Sequence, residues 1–393
     1  MKFSRAERSL LADWWFTVDR VLLGTILAIA CVGLFLSLAA SPAIALKRGL
    51  PTFYFVERHF FFTGLALTGM LAISLLTPAS VRRLSVVVLA AAFALMALTF
   101  FTGAEVNGAR RWLHLAGYSI QPSEIAKPAF VVISAWLVAE ADQRRDVPAL
   151  PLAVGVYLLF AGLLILQPDV GQTLLISFVW CALLFLAGKP IRWFLIFLPV
   201  LAAGFGAAYA SFAYVRSRVD RFLDPAAGDT YQTDRALQSF VEGGFFGRGP
   251  GEGTIKTVLP DAHSDFIFAV IGEEYGVLAC LVVVGLFALT VLRVFSRQAA
   301  ESSAFVRLAS AGLVLLFALQ AFINMAVSVG LIPAKGITLP LISSGGSSTL
   351  ATGLAMGMLL ALTRRRPDPA RVKKPSFVAT TPVSYDSTES MPS

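Results

Sequence analysis

Residues 260–289 read PDAHSDFIFAVIGEEYGVLACLVVVGLFAL, four acids and a histidine running into an apolar stretch. A helix rises about 1.5 Å per residue, so an apolar run of about 20 residues crosses a hydrocarbon core of about 30 Å. The second half of this stretch therefore predicts a membrane helix. Charge at the mouth of such a helix is costly and normally marks a partner or a job. The carboxylates Asp261, Asp265, Glu273 and Glu274 have to be explained.

The rest of the chain agrees with a bilayer. It has 393 residues, 57% hydrophobic and 14% charged, and a mean hydropathy of +0.75, well away from the averages of soluble domains. Apolar runs predict spans at 21–40, 59–76, 84–101, 125–140, 149–166, 172–188, 191–212, 266–292, 305–327 and 348–363. The expected fold is thus an all-α integral membrane protein of about ten transmembrane helices. Net charge is +8, and the basic residues concentrate at the N-terminus, at 82–83, 144–145, 189–192 and 293–307, and in 364–374. By the positive-inside rule these lie in the cytoplasm, which gives an N-in, C-in topology and puts the long 213–262 loop outside. Residues 1–19 form a cytoplasmic lead, 20–363 a membrane domain, and 364–393, rich in Pro, Ser and Thr, a disordered cytoplasmic tail. Cys31, Cys181 and Cys280 sit in apolar runs without ligand spacing and read as packing residues. The glycine-rich GGFFGRGPGEG at 243–253 lacks the strand, helix and Lys-Ser/Thr of a nucleotide cradle and reads as a flexible turn. No nucleic-acid partner is expected.

Four stretches put polar groups at the outer face. NGARRWLHLAGYSIQPSEIAKP, 107–128, supplies Arg110 and Arg111, then a helix start read with Ser123 as its cap, and Glu124 and Lys127 three apart on one helix face. Glu124 and Lys127 either neutralise each other or, with the arginines, bind an anion. QPDVGQT, 167–173, holds Asp169, either a helix cap or a support for a site. In the opening stretch Asp261, His263 and Asp265 form a rim. On a continuous helix Asp265 and Glu273 would stand about 80° apart in azimuth and about 12 Å apart in depth, so the acids do not make one compact metal cluster. GLIPAKGITLPLISSGGSS, 330–348, cannot be a continuous helix; it carries Lys335, and Ser343, Ser344, Ser347 and Ser348 with their glycines could offer N–H groups to an anion. Cations and carboxylates at one outer cavity suit a substrate with an anionic head and a lipid tail.

These four stretches, in this order, resemble the SEDS (shape, elongation, division and sporulation) family over roughly residues 15–365, with wording closer to the division-type than the elongation-type branch. Ser264 and Ser344 depart from its usual Thr and Tyr. The resemblance implies a ten-span glycosyltransferase of the bacterial inner membrane, polymerising peptidoglycan glycan from lipid II at the division septum. It implies Asp265 as the essential acid and general base, and Arg110, Arg111, Lys127 and Lys335 as phosphate-handling cations. Glu124, His263, Glu273, Asp169 and Ser347 are the further candidate binding residues. It also implies a class B penicillin-binding protein as transpeptidase partner, alongside other division proteins. No cofactor is certain; a divalent cation, Mg²⁺ or Mn²⁺, could share the diphosphate. The rival readings are a lipid II flippase or transporter, whose paths are also marked by charged residues in spans, and an elongation-type polymerase.

Overall fold

The computed structural model describes residues 9–47, 49–106, 109–115, 117–144, 146–224, 231–298, 301–333 and 336–365. The helices are α1 (Leu10–Thr17), α2 (Arg20–Lys47), α3 (Tyr54–Ser74), α4 (Pro78–Thr102), α5 (Pro122–Gln143), α6 (Ala149–Leu166), α7 (Val170–Leu186), α8 (Arg192–Ser211), α9 (Ala213–Leu223), α10 (Tyr231–Gly243), α11 (Ile267–Gln298), α12 (Ala304–Ser328) and α13 (Gly346–Leu362). Each apolar run predicted as a span falls on one helix. Six of them, α2, α4, α6, α8, α11 and α12, are long and apolar enough to cross a membrane. The expected tail lies from residue 366 onward outside the described residues, as do 1–8 of the lead; the rest of the lead forms α1.

Local chemistry sets several ends. Pro78 opens α4 behind Thr77, whose hydroxyl accepts from Ser80 N at 3.1 Å, and Ser303 caps α12 in the same way. The core is built from α5, α12 and α13, buried over most of their residues, and one side of α7, whereas α8 buries no residue. Close approach of α13 to α3 depends on small residues. A Cβ on Gly353 would lie 2.6 Å from Ala66 O, inside contact distance.

Two expectations change. The chain is not purely helical: β1 (Ala104–Val106), β2 (Ala109–Leu115) and β3 (Tyr118–Ile120) form an antiparallel sheet of order β1-β2-β3 between α4 and α5. The 213–262 loop is not a plain flexible excursion either, since it contains α9, α10 and a 3-10 turn at Ile255–Thr257.

The larger correction concerns the opening stretch. Its helix begins at Ile267, so Asp265 precedes it on a turn, and Gly276 interrupts it with φ 76° and ψ −178°. A short buried helix, 267–275, is followed by the membrane helix proper from 277. The break removes the helical bonds that Val277 N and Leu278 N would give to Glu273 O and Glu274 O. The glycine-rich strap replaces them. Val277 N donates to Gly244 O (3.0 Å) and Leu278 N to Phe245 O (3.3 Å), while Arg248 N and Gly249 N donate to Glu273 O and Glu274 O, both at 3.0 Å. Buried backbone groups need such partners. Only glycine permits the approach: a Cβ on Gly247 would lie 2.2 Å from Glu274 O, and one on Gly276 2.4 Å from Phe245 O.

The two glutamates finish the strap. The Glu273 carboxylate accepts from Ile255 N (2.7 Å) and Lys256 N (3.0 Å). The Glu274 carboxylate accepts from Gly251 N (3.2 Å) and pairs with the buried Lys256 ammonium, which also donates to Ala39 O of α2 at 3.1 Å. These acids fix a loop to a broken helix.

The substitution Gly276→Ala, which meets both a positive φ and a backbone oxygen, is expected to cost on the order of 1–3 kcal/mol and to lower the thermal unfolding midpoint in detergent. Gly285→Ala, on the same helix with open space around it, is the control expected to show no loss.

Candidate active site

A cavity of about 1630 Å³ opens among α3, β2, α5, α7, α10, α12, the Asp261–Asp265 turn and the 336–348 segment. Among the residues predicted from sequence, Arg111, Glu124, Asp169, His263, Asp265 and Ser347 line it, as does Asp261.

Asp265 sits half-buried at the wall, on a turn that several elements hold. The N–H groups of Ser264 and Asp265 both donate to Asp261 O at 3.0 Å, with Asp261 at φ 51°. Ser344 N donates to His263 O at 3.0 Å, and Ser343 Oγ donates to Ser264 O. From α12, Asn324 Nδ2 donates to Asp265 O and to Ile337 O, each at 2.8 Å. The Ser-Gly segment expected to offer donors to an anion thus spends Ser343 and the Ser344 amide on the acid's own turn. Ser347 Oγ accepts from Gln121 N at 3.0 Å, tying α13 to the start of α5. His263 is buried with its ring 4.7 Å from that of Phe55 on α3.

The cations behave differently from one another. Strand residues alternate in facing, and β2 carries both arginines. Arg111 lines the cavity, whereas Arg110 is exposed, donates to Phe100 O at 3.4 Å and is absent from the lining. Arg111 is itself committed: Nε donates to Gln167 O at 2.8 Å, a terminal nitrogen donates to Pro168 O, and another lies 3.5 Å from Asp169 Oδ2. Asp169, expected to lack a basic partner in its own turn, receives one from β2 and also caps α7, accepting from Gln172 N at 3.3 Å. Lys127 is almost wholly buried and its ammonium donates to Glu124 Oε1 at 2.8 Å and Gln172 Oε1 at 2.9 Å. Gln172 Nε2 donates to the same Glu124 oxygen at 2.7 Å. Of the two readings of this pair, mutual neutralisation fits: Glu124 touches the cavity and Lys127 stands behind it. Ser123 is not the cap of α5; Gln121 occupies that position and Pro122 begins the helix.

Glu273 does not reach the cavity, because the short helix turns it to the strap. Lys335 lies outside the described residues. Among the described residues no three His, Cys, Asp or Glu side chains converge as a metal cage.

Sequence reasoning missed three groups. Arg58 and His59 of α3 line the cavity; together with Phe55 and Phe62 they make an i, i+3, i+4, i+7 stripe that helix periodicity could have revealed. Asn324 is a carboxamide in an apolar span, one turn after Gln320, a signal in its own right. Lys256 gave none, since its partner is reached only through the strap.

Residues 19–367 match the model of the cell cycle protein family that groups FtsW, RodA and SpoVE. The chain belongs to that family. A protein of Caulobacter vibrioides named a probable peptidoglycan glycosyltransferase FtsW is 43% identical over 366 residues, covering 93% of this chain and 94% of its own. A Trichlorobacter lovleyi protein of the same name is 36% identical, covering 87% and 92%. Among solved structures, a chain from a peptidoglycan synthase complex that coordinates polymerization and crosslinking superposes with a TM-score of 0.73 at 30% identity, covering 89% of this chain and 98% of that one. The Thermus thermophilus rod shape determining protein RodA gives 0.66 at 28% identity, covering 89% and 97%. The FtsW/RodA/SpoVE assignment thus holds across the membrane core and the cavity together.

If Lys127 serves Glu124 and not a ligand directly, Lys127→Met is expected to destabilise the protein by about 3–5 kcal/mol, the cost of an uncompensated buried charge. The double variant Glu124→Gln/Lys127→Met should recover most of that loss in thermal unfolding.

Proposed function

We propose that this protein polymerises lipid II into peptidoglycan glycan strands at the outer face of the bacterial cytoplasmic membrane, as a septal, division-type enzyme. The observation that carries the reading is a carboxylate, Asp265, on a turn whose backbone is held by α12 and the 336–348 segment at the wall of a cavity of about 1630 Å³. That volume exceeds the roughly 300–1,000 Å³ of ordinary small-molecule sites and suits two large lipid-linked sugars at once. The names of the relatives, at up to 93% coverage of this chain, support the same reading.

In the proposed reaction Asp265 takes the proton from the 4-hydroxyl of the acceptor N-acetylglucosamine. The oxygen attacks the anomeric carbon of the donor, a new C–O bond forms, and the bond to diphosphate breaks. Undecaprenyl diphosphate leaves with its charge, so no acid has to protonate it. A base held near the reacting hydroxyl contributes typically 10²–10⁴-fold. Fixed positive charge at the leaving group acts as preorganised electrostatics; Arg111 at the wall, and Lys335 by proposal, are candidates. Asp169 and Glu124 keep the wall in place through Arg111 and Gln172. A Mg²⁺ or Mn²⁺ ion fits here only if phosphate oxygens complete its shell, because one or two carboxylates suffice for Mg²⁺ when phosphates are present. Asp265 would hold it, and it would neutralise diphosphate charge.

The proposal extends to ten spans in an N-in, C-in arrangement, to a 364–393 tail in the cytoplasm, and to a class B penicillin-binding protein and other division proteins as partners. A synthase complex of similar fold that coordinates polymerization and crosslinking supports the first of these partners.

The deciding assay is purified protein with lipid II in detergent, scored for glycan polymer on a gel. Wild type should give polymer, and Asp265→Asn, which holds shape but not charge, should reduce the rate at least about 10²-fold with an unchanged melting curve. Near wild-type polymer from Asp265→Asn removes the base assignment. Movement of lipid II across vesicles without polymer points to a flippase.

A further inference from the structure

Of the cations named from sequence, the three among the described residues are committed or stand elsewhere: Arg111 to Gln167, Pro168 and Asp169, Lys127 to Glu124 and Gln172, Arg110 away from the cavity. A cavity for a diphosphate needs positive charge still available to it. Among the described residues, the Lys and Arg side chains of the lining are Arg111 and Arg58.

Arg58 is built differently. It lies on the first turns of α3, half-buried in the cavity wall. One of its nitrogens donates to Tyr54 Oη at 3.1 Å, and it pairs with no carboxylate among the described residues. Its guanidinium lies 5.6 Å from the centroid of the Tyr54 ring and 5.5 Å from that of Tyr118. Tyr118 is itself held by Phe61, stacked at 6.1 Å, and Phe62, edge-on at 5.4 Å. Aromatic faces attract a cation and fix its plane without consuming its N–H donors. The side chain is thus positioned while most of its five donors stay unspent. One turn before it, Phe55 lies against His263 of the acid's own turn, so the helix that carries Arg58 packs on the turn that carries Asp265, and both residues line the cavity.

We propose that Arg58 binds phosphate oxygens of a polyprenyl diphosphate in this cavity, using the planar two-pronged geometry that guanidinium offers to phosphate. Lys keeps the charge but neither the fork nor the stacking. The identity of the ligand rests on the polymerase reading; the presence of an anion site does not. The same phosphate chemistry is carried by anionic phospholipid head groups, and the test separates them.

Wild type, Arg58→Met and Arg58→Lys are reconstituted in nanodiscs of zwitterionic lipid, and binding of undecaprenyl diphosphate is measured beside polymerisation of lipid II. The expected result is binding weakened about ten-fold or more in Arg58→Met, the scale of losing a charge-assisted hydrogen bond, an intermediate loss in Arg58→Lys, and a KM for lipid II that rises with the binding loss. If Arg58→Met melts early, Arg58→Lys decides, since it keeps the charge. Undiminished binding in a folded variant overturns the proposal. So does an Arg58 dependence found only when phosphatidylglycerol replaces the diphosphate as probe. Arg58-dependent binding of the diphosphate by a wild type that makes no polymer upholds the site and overturns the polymerase reading alone.

Discussion

At Gly276 the helix leading from the acidic turn into the membrane loses two of its own hydrogen bonds, and four bonds to the 244–249 strap stand in their place. Everything at the cavity mouth depends on that exchange. It allows eight of the nine residues before the break to lie buried among other helices while several after it, Leu278, Leu281 and Val282 among them, stay exposed. It also makes α10, the strap and the Asp261–Asp265 turn one connected body. Asp265 precedes the helix on its own turn while Glu273 and Glu274 lie within it, so their tasks divide, with the glutamates holding the loop and the aspartate left at the wall.

A second constraint is the treatment of charge. Lys127, Glu124, Lys256 and Glu274 are all nearly inaccessible to water, and burying ions is repaid only by close pairing and further hydrogen bonds. Each pair has both. Such pairs contribute little net stability compared with apolar packing, but they fix geometry, since each breaks badly when one partner shifts. The cavity wall is therefore braced by Arg111 and, from behind, by Lys127, and among the described residues the other Lys or Arg of its lining is Arg58, held by ring faces instead of by carboxylates.

Much of this was legible in the sequence. Apolar runs located the helices, and the acids, glycines and prolines marked the segments that gather at the cavity, because period and composition act locally. What depended on distant partners was not. Arg111 and Asp169 are far apart in the chain and meet only through folding. Lys256 has the look of a loop residue until the strap brings it to Glu274. Alternation along RRW would separate Arg110 from Arg111 if a strand were expected, but the sheet is short and lies in an otherwise helical chain. Gly276, one residue beyond two glutamates, belongs by composition to the apolar span that follows; a positive φ leaves no trace in hydropathy.

The Lys256 ammonium also reaches Ala39 O, in the turn of α2 just before Pro42. A proline takes away the N–H of its own position, here the helical partner of Leu38 O next to Ala39. The helix α2 is latched to the same atom that neutralises Glu274, so a tilt of that helix pulls on the loop bracing the broken helix. Three stretches remote in sequence, at Ala39, Lys256 and Glu274, thereby share one ammonium group.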